Sequence, residues 1–441
     1  MGSLMHIVLL LTLVTACGFP HPADIGNDAP ADALEPGVIV HVSPAGDDVN
    51  DGVTQPVRTL QRAISIAGTN TQITTIALAM GRYAGSTGEH FPYLVPNNVK
   101  IVGAAGGSSI LSGTKVEDGL TIDTGQLQDL EFEDFLVAVT ATGVVDLKNI
   151  HIRASKLAMR GETNSKSKID NLEIIGAVDT CGSGIELEGS ADLAATTLTT
   201  RNLLTTLDAE DLSTIDIARA DVTGDPRCRG LAFAIHTDRP FILSDSIIVG
   251  TYGGISIVGH PSSPAQVMLT NITLRNIQET VLSGIYVVVR MSGGEISNNT
   301  VGIADARSGT WALTNVKIQQ NTGEGIYVSG AGGQSLGLLT MRDCIVTGNR
   351  DGVSLFDWSM ADLGTSASPG GNILQNNQFA GVSISGSKGP MQVDAVGNTW
   401  NAGVQGADAT GHYPVTATIV GPIAQAAGNN FDIWSGLSVR R

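Results

Sequence analysis

The chain has 441 residues, more than one compact core usually holds, so several domains or a solenoid that grows along one axis are expected. With 42% hydrophobic residues it is too apolar for a disordered protein, and its 54 glycines and 15% charged residues suit short strands joined by tight turns. The 25 Lys and Arg residues against 42 Asp and Glu residues give a net charge of −17, which repels phosphate backbones and anionic membranes. We therefore expect no nucleic-acid partner.

The first predicted element is a signal peptide. Residues 7–14 form an apolar run that is too short to span a bilayer but suits the core of a signal peptide. The run ends in Val14-Thr15-Ala16-Cys17-Gly18, which resembles the bacterial lipobox, where the chain is cut before the cysteine and the sulfur carries a lipid. Residues 1–6 contain no Lys or Arg, which departs from the usual signal peptide, so a plain secretory signal is the alternative.

The lipobox resemblance implies a location. Gly18 follows Cys17, where an Asp would favour retention in the inner membrane, so we predict an exported outer-membrane lipoprotein that is lipidated at Cys17. The lipid would be its only contact with the membrane. Residues 1–17 are then the signal peptide, and residues 18–37, rich in Pro, Ala and Asp, form a tether.

An acidic loop follows the first predicted strand. Its carboxylates, Asp47, Asp48 and Asp51, are ligands that Ca²⁺ prefers, but the loop lacks the bidentate Glu of an EF-hand. Asx-turns before a helix explain the same residues without a metal. We therefore expect no cofactor, with Ca²⁺ as the alternative.

A single amphipathic helix is predicted over residues 56–67, with Pro56 in its first turn and Gly68 at its end. A solenoid needs a cover over its open end, and this helix is the candidate cap. Residues 73–80, 99–102 and 127–132 are predicted as the first strands.

Internal repetition then predicts the fold. An apolar residue followed five positions later by a second one recurs nine times, with starts 22 to 26 residues apart, a period typical of solenoids. The starts are Leu147, Ile169, Leu193, Ile217, Leu243, Leu269, Met291, Leu313 and Leu339. The partners are Ile152, Ile174, Leu198, Val222, Ile248, Leu274, Ile296, Ile318 and Cys344.

A second marker repeats alongside. Short period-two strands begin with a glycine at Gly184, Gly254, Gly284, Gly325, Gly352 and Gly381. An asparagine, which tolerates a left-handed turn, precedes several of them, at Asn299, Asn321, Asn349 and Asn377. No period has room for a long helix. The sequence therefore predicts an all-β protein, a single right-handed parallel β-helix, with cap and first coils over residues 38–100, the main β-helix over 101–400 and a C-terminal coil and tail over 401–441.

Motifs near both ends resemble a known family. They are Val40-His41-Val42-Ser43-Pro44-Ala45-Gly46-Asp47, Gly81-Arg82-Tyr83, Pro369-Gly370-Gly371-Asn372 and Ala395-Val396-Gly397-Asn398-Thr399-Trp400. They are similar to those of uncharacterised pectin-lyase-like surface proteins of bacteria. This resemblance implies the β-helix fold. It implies no activity, since the superfamily includes lyases, hydrolases, epimerases, tailspikes and adhesins.

Two groups of polar residues are candidate sites, because residues at equal register on neighbouring coils stack about 4.8 Å apart. His236 and His260 each lie six residues after a glycine, with Asp238 and Arg239 nearby, and form the catalytic candidate. An acidic ladder of Glu186, Glu188, Asp208 and Glu210 is the ligand-binding candidate. Solvated surface on a loop edge is the simpler explanation of both groups.

The cysteines allow one disulfide. Cys344 occupies a core position, so Cys181 and Cys228 are the remaining pair. Their spacing is close to two periods, which separates stacked positions by about 9.6 Å, beyond disulfide reach. A bond between them requires both to lie on loops that leave the coil.

Three functions remain open. We prefer a non-enzymatic surface protein that binds a polysaccharide or another glycan of the cell envelope. The second is a polysaccharide lyase or glycoside hydrolase that acts on acidic polysaccharides, and the third is a structural spacer. No oligomeric state follows from the sequence.

Overall fold

The computed structural model describes residues 37–106, 108–177, 179–225, 227–330, 336–365, 367–385 and 392–400, with short strands at 412–413, 431–433 and 438–439. The predicted signal peptide, Cys17 and the tether up to residue 36 lie outside the described residues. Val38–Arg441 forms one compact unit. Within the described ranges, no helix is long and apolar enough to cross a membrane.

The unit is a right-handed parallel β-solenoid of about 12 turns, as the repeats predict. Each coil contributes a strand to each of three parallel sheets, here called faces A, B and C, which contain Leu147, Ile152 and Met159 respectively. Leu147 pairs with Ile169 one coil later, and Ile152 pairs with Ile174. Side chains therefore stack in columns along the solenoid axis.

Strand bounds follow the faces. Strands of face A are Val38–Val42, Ile73–Leu78, Val99–Val102, Asp192–Ala195, Thr214–Ile217, Phe241–Ser244, Thr310–Thr314, Gly337–Arg342, Ser359–Asp362 and Gln392–Asp394. Strands of face B are Gly81–Ala84, Ser109–Ser112, Leu198–Arg201, Ala220–Thr223, Ile247–Val249, Lys317–Gln319, Ile345–Thr347, Ile373–Gln375 and Asn398–Trp400. Strands of face C are Tyr93–Val95, Leu157–Gly161, Ser183–Leu187, Leu207–Ala209, Leu231–His236, Gly253–Val258, Leu282–Ile285, Ile303–Arg307, Ile326–Ser329, Asp351–Phe356 and Ala380–Ser385.

Longer strands bend from one face into the next. They are Leu120–Glu133, Val137–Arg153, Lys166–Ile175, Ala265–Arg275 and Val287–Ser297. Antiparallel strands occur at the C-terminal end, where Phe431–Ile433 pairs with the last strand of face C and His412–Tyr413 pairs with the last strand of face B. Ser438–Val439 pairs in turn with Phe431–Ile433.

The corner between faces A and B turns sharply at one residue per coil. Most coils place a residue of positive φ there, and Gly, Asn and Asp are the residues that accept this conformation most readily. The residues are Asp129, Asn149, Asn171, Asp245, Asn271, Gly293, Asn315, Asp343, Gly371 and Gly397. Several are linked between coils: Asn149 Nδ2 donates to Asp129 Oδ1 over 2.9 Å, and Asn171 Nδ2 donates to Asn149 Oδ1 over 3.2 Å.

At the corner between faces B and C, the asparagines do not have the predicted role of left-handed turn residues. The positive-φ residues are the ones just before them, Asn298, Gln320, Gly348 and Asn376. The predicted residues Asn299, Asn321, Asn349 and Asn377 point inward, are nearly fully buried and form a ladder. The Asn321 side-chain oxygen accepts the Asn299 backbone N–H (3.1 Å), and the Asn349 oxygen accepts the Asn321 backbone N–H (3.1 Å). The ladder therefore satisfies backbone groups that the corner removes from the sheets.

All eighteen apolar positions of the predicted repeat are buried, but two coils are out of register. Ile169 pairs with Ala195, two residues after the predicted Leu193, and Leu313 pairs with Met341 instead of Leu339. The partners Leu198 and Cys344 shift in the same way, by two residues. Side chains two apart on a strand share a face, so this error leaves the pattern of burial intact. Gly284 is also out of register with the other strand-initial glycines, because it pairs with Ile257 and occupies an inward position within its strand.

The helix near the N-terminus spans Leu60–Thr69, four residues later than predicted at its start. Thr59 is the N-cap, because its hydroxyl accepts the Arg62 backbone N–H over 3.1 Å. Pro56 precedes the helix, where Val57 forms a backbone bridge with Val42. The helix packs its buried side chains on the first strands of faces A and C. A single turn of 3-10 helix spans Gly85–Thr87.

Candidate functional site

The outward side of face C carries a group of charged side chains at one end and two stacked aromatic rings at the other. One outward position per coil forms a column that we call the central row: Thr121, Thr140, Arg160, Glu186, Asp208, Ala234, Ser256, Ser283 and Asp305, continuing after a bulge with Tyr327, Ser354 and Ser383. Two residues further along each strand lies a second column, the outer row: His236, Val258, Ile285, Arg307, Ser329, Phe356 and Ser385. These rows define the candidate site.

The acidic ladder predicted from the sequence lies at one end of the central row. Glu186 pairs directly with Asp208, and Arg160 pairs with Glu186 from the coil before. The Arg160 guanidinium lies 3.5 Å from a Glu186 carboxylate oxygen and 3.3 Å from one of Glu188. The structure therefore brings the predicted carboxylates together and adds an arginine that sequence reasoning missed.

Asp208 has the most perturbed carboxyl of this group. Burial raises its pKa, Glu210 and Glu186 raise it further, and His236 on the next coil lowers it. The Arg160 guanidinium contacts Glu186 and Glu188 and leaves Asp208 without an ion pair in the described part of the chain. The acidic end therefore carries negative charge that one arginine does not balance.

The other end of the rows is aromatic. The rings of Tyr327 in the central row and Phe356 in the outer row stack with centroids 6.1 Å apart and planes inclined by 28°. Phe356 is 36% exposed, although apolar side chains on this fold are mostly inward. Hydroxyls line the row beside and before the rings, with Ser354 and Ser383 2.9 Å apart and Ser256 and Ser283 3.3 Å apart. None of these residues was singled out from the sequence.

The predicted histidine stack is wrong. His236 pairs with Val258, and His260 lies two residues further along, in a loop where its Nδ1 is 2.7 Å from the Ser262 hydroxyl. The prediction aligned Gly230 with Gly254, but Leu231 pairs with Gly253, so the assumed register was displaced by two residues. Asp238 and Arg239 lie on the loop after His236 and form an ion pair with each other at 3.8 Å. These residues border face C and do not converge on one point.

A disulfide lies at the corner that borders face C on its other side. Cys181 and Cys228 are bonded, with Cα atoms 5.6 Å apart, and both lie on loops that leave the coil. The bond crosses the short turn of the coil between them. Close by, the Arg229 guanidinium lies 5.7 Å from the Tyr252 ring centroid, and the Tyr252 hydroxyl bonds Glu279.

The three carboxylates weighed as Ca²⁺ ligands lie far from these rows, in the loop before the helix. Asp51 accepts N–H bonds from residues 53–55 and a hydroxyl bond from Thr54, which together lower its pKa to about 2. Asp48 accepts the backbone N–H groups of Arg58 and Thr59, both over 2.9 Å. Asp47 accepts one N–H, at 3.3 Å. Across the described ranges, no group of three or more His, Cys, Asp and Glu side chains has a metal-binding arrangement.

Two further charged groups escaped sequence reasoning. Glu89 is almost fully buried at the start of the helix, where it accepts the Leu60 N–H (2.8 Å) and the Tyr93 hydroxyl (2.7 Å), and burial raises its pKa. On the outward side of face B, Arg153 lies 2.8 Å from Glu131, and His151 lies 2.9 Å from Glu173. Both groups are satisfied by partners within the protein.

The stacked coils define this chain as a right-handed parallel β-helix protein. Residues 44–204 match the family described as "Protein of unknown function (DUF1565)", and residues 234–400 match "Right handed beta helix region". The resemblance to uncharacterised pectin-lyase-like β-helix proteins is therefore confirmed. No curated protein matches the chain.

Solved structures with the same fold include the catalytic domain of a GH87 alpha-1,3-glucanase in complex with nigerose. It has 13% sequence identity and a TM-score of 0.51, and the match covers 83% of this chain and 69% of that one. A variant of that enzyme with nigerose has 14% identity, the same TM-score of 0.51, and the same coverage of 83% and 69%. These likenesses show the fold.

Proposed function

We propose that this chain is an exported β-helix protein that binds a polysaccharide along the outward side of face C without cleaving it. The observation that carries the proposal is the stacked pair of half-buried Tyr327 and exposed Phe356, in line with a row of hydroxyls. Aromatic rings offer an apolar face to the C–H face of a sugar ring, and serine hydroxyls both donate to and accept from sugar hydroxyls. The alpha-1,3-glucanase with nigerose is a case in which this fold holds a sugar.

The length of the face suits an extended ligand. Five coil steps separate Asp208 from Tyr327, about 24 Å at about 4.8 Å per step. Loops border the rows on one side and the corner that carries the disulfide borders them on the other. A linear polymer lying along the axis would contact several coils at once, so modest contacts add up along the chain.

A second candidate function is hydrolysis or lyase cleavage of a polysaccharide, and Asp208 is the observation that favours it. A carboxyl of raised pKa beside a second carboxyl group is the arrangement of a general acid in glycoside hydrolysis. We place binding first because the two stacked rings lie in the same rows as several serine hydroxyls, whereas Arg160 already engages Glu186 and Glu188.

Export and anchoring belong to the same proposal. The Cys181–Cys228 bond supports an oxidising compartment, because disulfides rarely persist in the cytosol. The lipobox-like segment supports a lipid on Cys17 and a place in the outer membrane. Mass spectrometry of the N-terminal peptide from the outer-membrane fraction tests this, and an unlipidated N-terminus at another residue would refute it.

The test of binding compares the parent with Tyr327→Ala and Phe356→Ala on a glycan array and by affinity electrophoresis. Val144→Ala is the matched control, since Val144 is an exposed apolar side chain on face A. We expect either aromatic change to weaken binding about tenfold and the control to leave it unchanged. Assays for reducing or unsaturated ends run beside them. Release of such ends by the parent, abolished in Asp208→Asn, would replace binding by the second candidate function.

A further inference from the structure

The proposed binding surface on face C has a group of carboxylates at one end of its central row. We propose that its ligand is an uncharged polysaccharide, and that Glu186 and Asp208 set this specificity by accepting sugar hydroxyls and repelling anionic sugars. This inference rests on the proposed function, because it names the ligand class of the same surface.

The charges near the acidic end carry the argument. Glu186 and Asp208 occupy the central row, and three more carboxylates directly follow the paired strands on consecutive coils. These are Glu162, Glu188 and Glu210, whose backbone N–H groups continue the ladder between coils. Within the described residues, Arg160 is the one cation inside the face C strands of these coils, and Lys156 directly precedes the first of these strands, so five carboxylates stand against two cations. A polymer with a carboxylate on each sugar would meet like charge there, which weakens its binding.

The neighbouring carboxylates act on Asp208 in addition to burial, which is the largest cause of its raised pKa. Burial, Glu210 and Glu186 all raise the pKa of Asp208, and the opposing effect comes from His236. A carboxylate that other carboxylates destabilise would be destabilised again by a uronate laid across it.

At Glu186 and Glu188 the same geometry disfavours a cationic ligand. The guanidinium of Arg160 already occupies the place between Glu186 and Glu188 where an ammonium group would sit, 3.5 and 3.3 Å from their oxygens. An amino sugar would have to displace it. A hydroxyl needs no such exchange, because a carboxylate accepts several hydrogen bonds and charge-assisted bonds are strong.

The rest of the rows is suited to neutral sugars. Between Asp208 and the rings, the central row has small side chains at Ala234, Ser256 and Ser283, and the position before the bulge is Asp305. Arg307 is present in the outer row, but it already has interaction partners. The aromatic end therefore provides stacking and hydroxyl contacts, and the acidic end provides acceptors.

Affinity electrophoresis of the full chain in gels containing a neutral glucan, polygalacturonate or chitosan tests this inference. The variants are Glu186→Gln and Asp208→Asn, alone and together. Asp216→Asn is the matched control, because it removes one negative charge from an outward position on face A. At low salt we expect the parent to bind the neutral glucan at least about tenfold more tightly than polygalacturonate. The difference in affinity between the neutral glucan and polygalacturonate should be smaller in the double variant and unchanged in the control.

Each other outcome has a definite meaning. A parent that binds polygalacturonate as well as the neutral glucan, or chitosan most tightly, would overturn the inference and leave polysaccharide binding standing. A parent that binds none of the polymers here or on the glycan array would instead overturn the proposed function. An equal effect of all three single variants would mean that net charge, and not the position of Glu186 and Asp208, sets the preference.

Discussion

The ladder of buried asparagines gives the sharpest test of the stacked coils. In Asn321→Ala, the Asn299 N–H loses its acceptor, while the oxygens of Asn349 and Ile296 each lose one donor. The Asn349 oxygen keeps its bond from the backbone N–H of residue 321. One buried donor left unpaired costs about 1–3 kcal/mol, and each lost bond to an oxygen adds about 1 kcal/mol. We therefore expect the free energy of unfolding to fall by about 3–5 kcal/mol.

Urea unfolding followed by circular dichroism measures this change, provided that each transition is single. Thr322→Ala is the matched control, since Thr322 is the next residue, is exposed and makes one long bond of 3.3 Å to Thr300. We expect the control to lose less than about 1 kcal/mol. Hydrogen exchange at the Asn299 amide should accelerate in Asn321→Ala alone. Equal destabilisation by the two changes, or unchanged protection of that amide, would refute the ladder.

Three further predictions use other parts of the fold. Cys181→Ser should lower the free energy of unfolding by up to about 4 kcal/mol, because the disulfide closes a loop with a sequence separation of 47. Reductant should destabilise the parent to the same extent in thermal melts. Burial raises the pKa of Glu89, so the charged form of this carboxyl destabilises the folded state at neutral pH. This destabilisation is lost as the pH falls through the raised pKa. Between pH 7 and pH 4 the melting temperature of the parent should therefore rise relative to that of Glu89→Gln. Ile318→Asp should cost several kcal/mol, while Lys317→Ala beside it should cost less than about 1 kcal/mol, and equal melting temperatures would show that the inward register is wrong.

The fold could be predicted because burial repeats with a period that only stacked coils explain. The pattern fixes which side of a strand faces the core, but it does not distinguish two inward positions on one strand. Ala195 was therefore passed over for Leu193, although Ala195 is the residue that continues the column from Ile169. In the neighbouring column, Thr200 takes an inward place and pairs its hydroxyl with that of Thr206 at 2.9 Å. A search for large apolar residues misses such positions.

The candidate site was predicted only in part, because the pattern of burial does not fix the register of each coil. Glu186 and Asp208 were grouped correctly, because both lie at the same offset from reliable inward residues. His236 and His260 were grouped through two glycines that do not align. Whether a predicted polar stack is real therefore depends on the register of each coil.

The aromatic pair was missed because it is diagonal. Tyr327 pairs with Ser354, and Phe356 pairs with Ser329, so the two rings meet across neighbouring strands from different rows. No single periodic offset joins them in the sequence. The disulfide escaped a firm prediction for a related reason, since loops of unequal length carry both cysteines out of the coil spacing.

Inward and outward positions obey different constraints on this fold. Ile152 stacks between Phe132 and Ile174, so each inward choice must fit two neighbours in the core. On the outward side of face C, Arg160 is followed by Glu186 without any loss of backbone pairing, because the hydrogen bonds between coils do not depend on the outward side chains. The chemistry of face C can therefore change from coil to coil while the solenoid remains intact. A binding surface on such a fold is encoded by outward residues at matched register, and a shift of two residues that is harmless to the core brings the wrong side chains together.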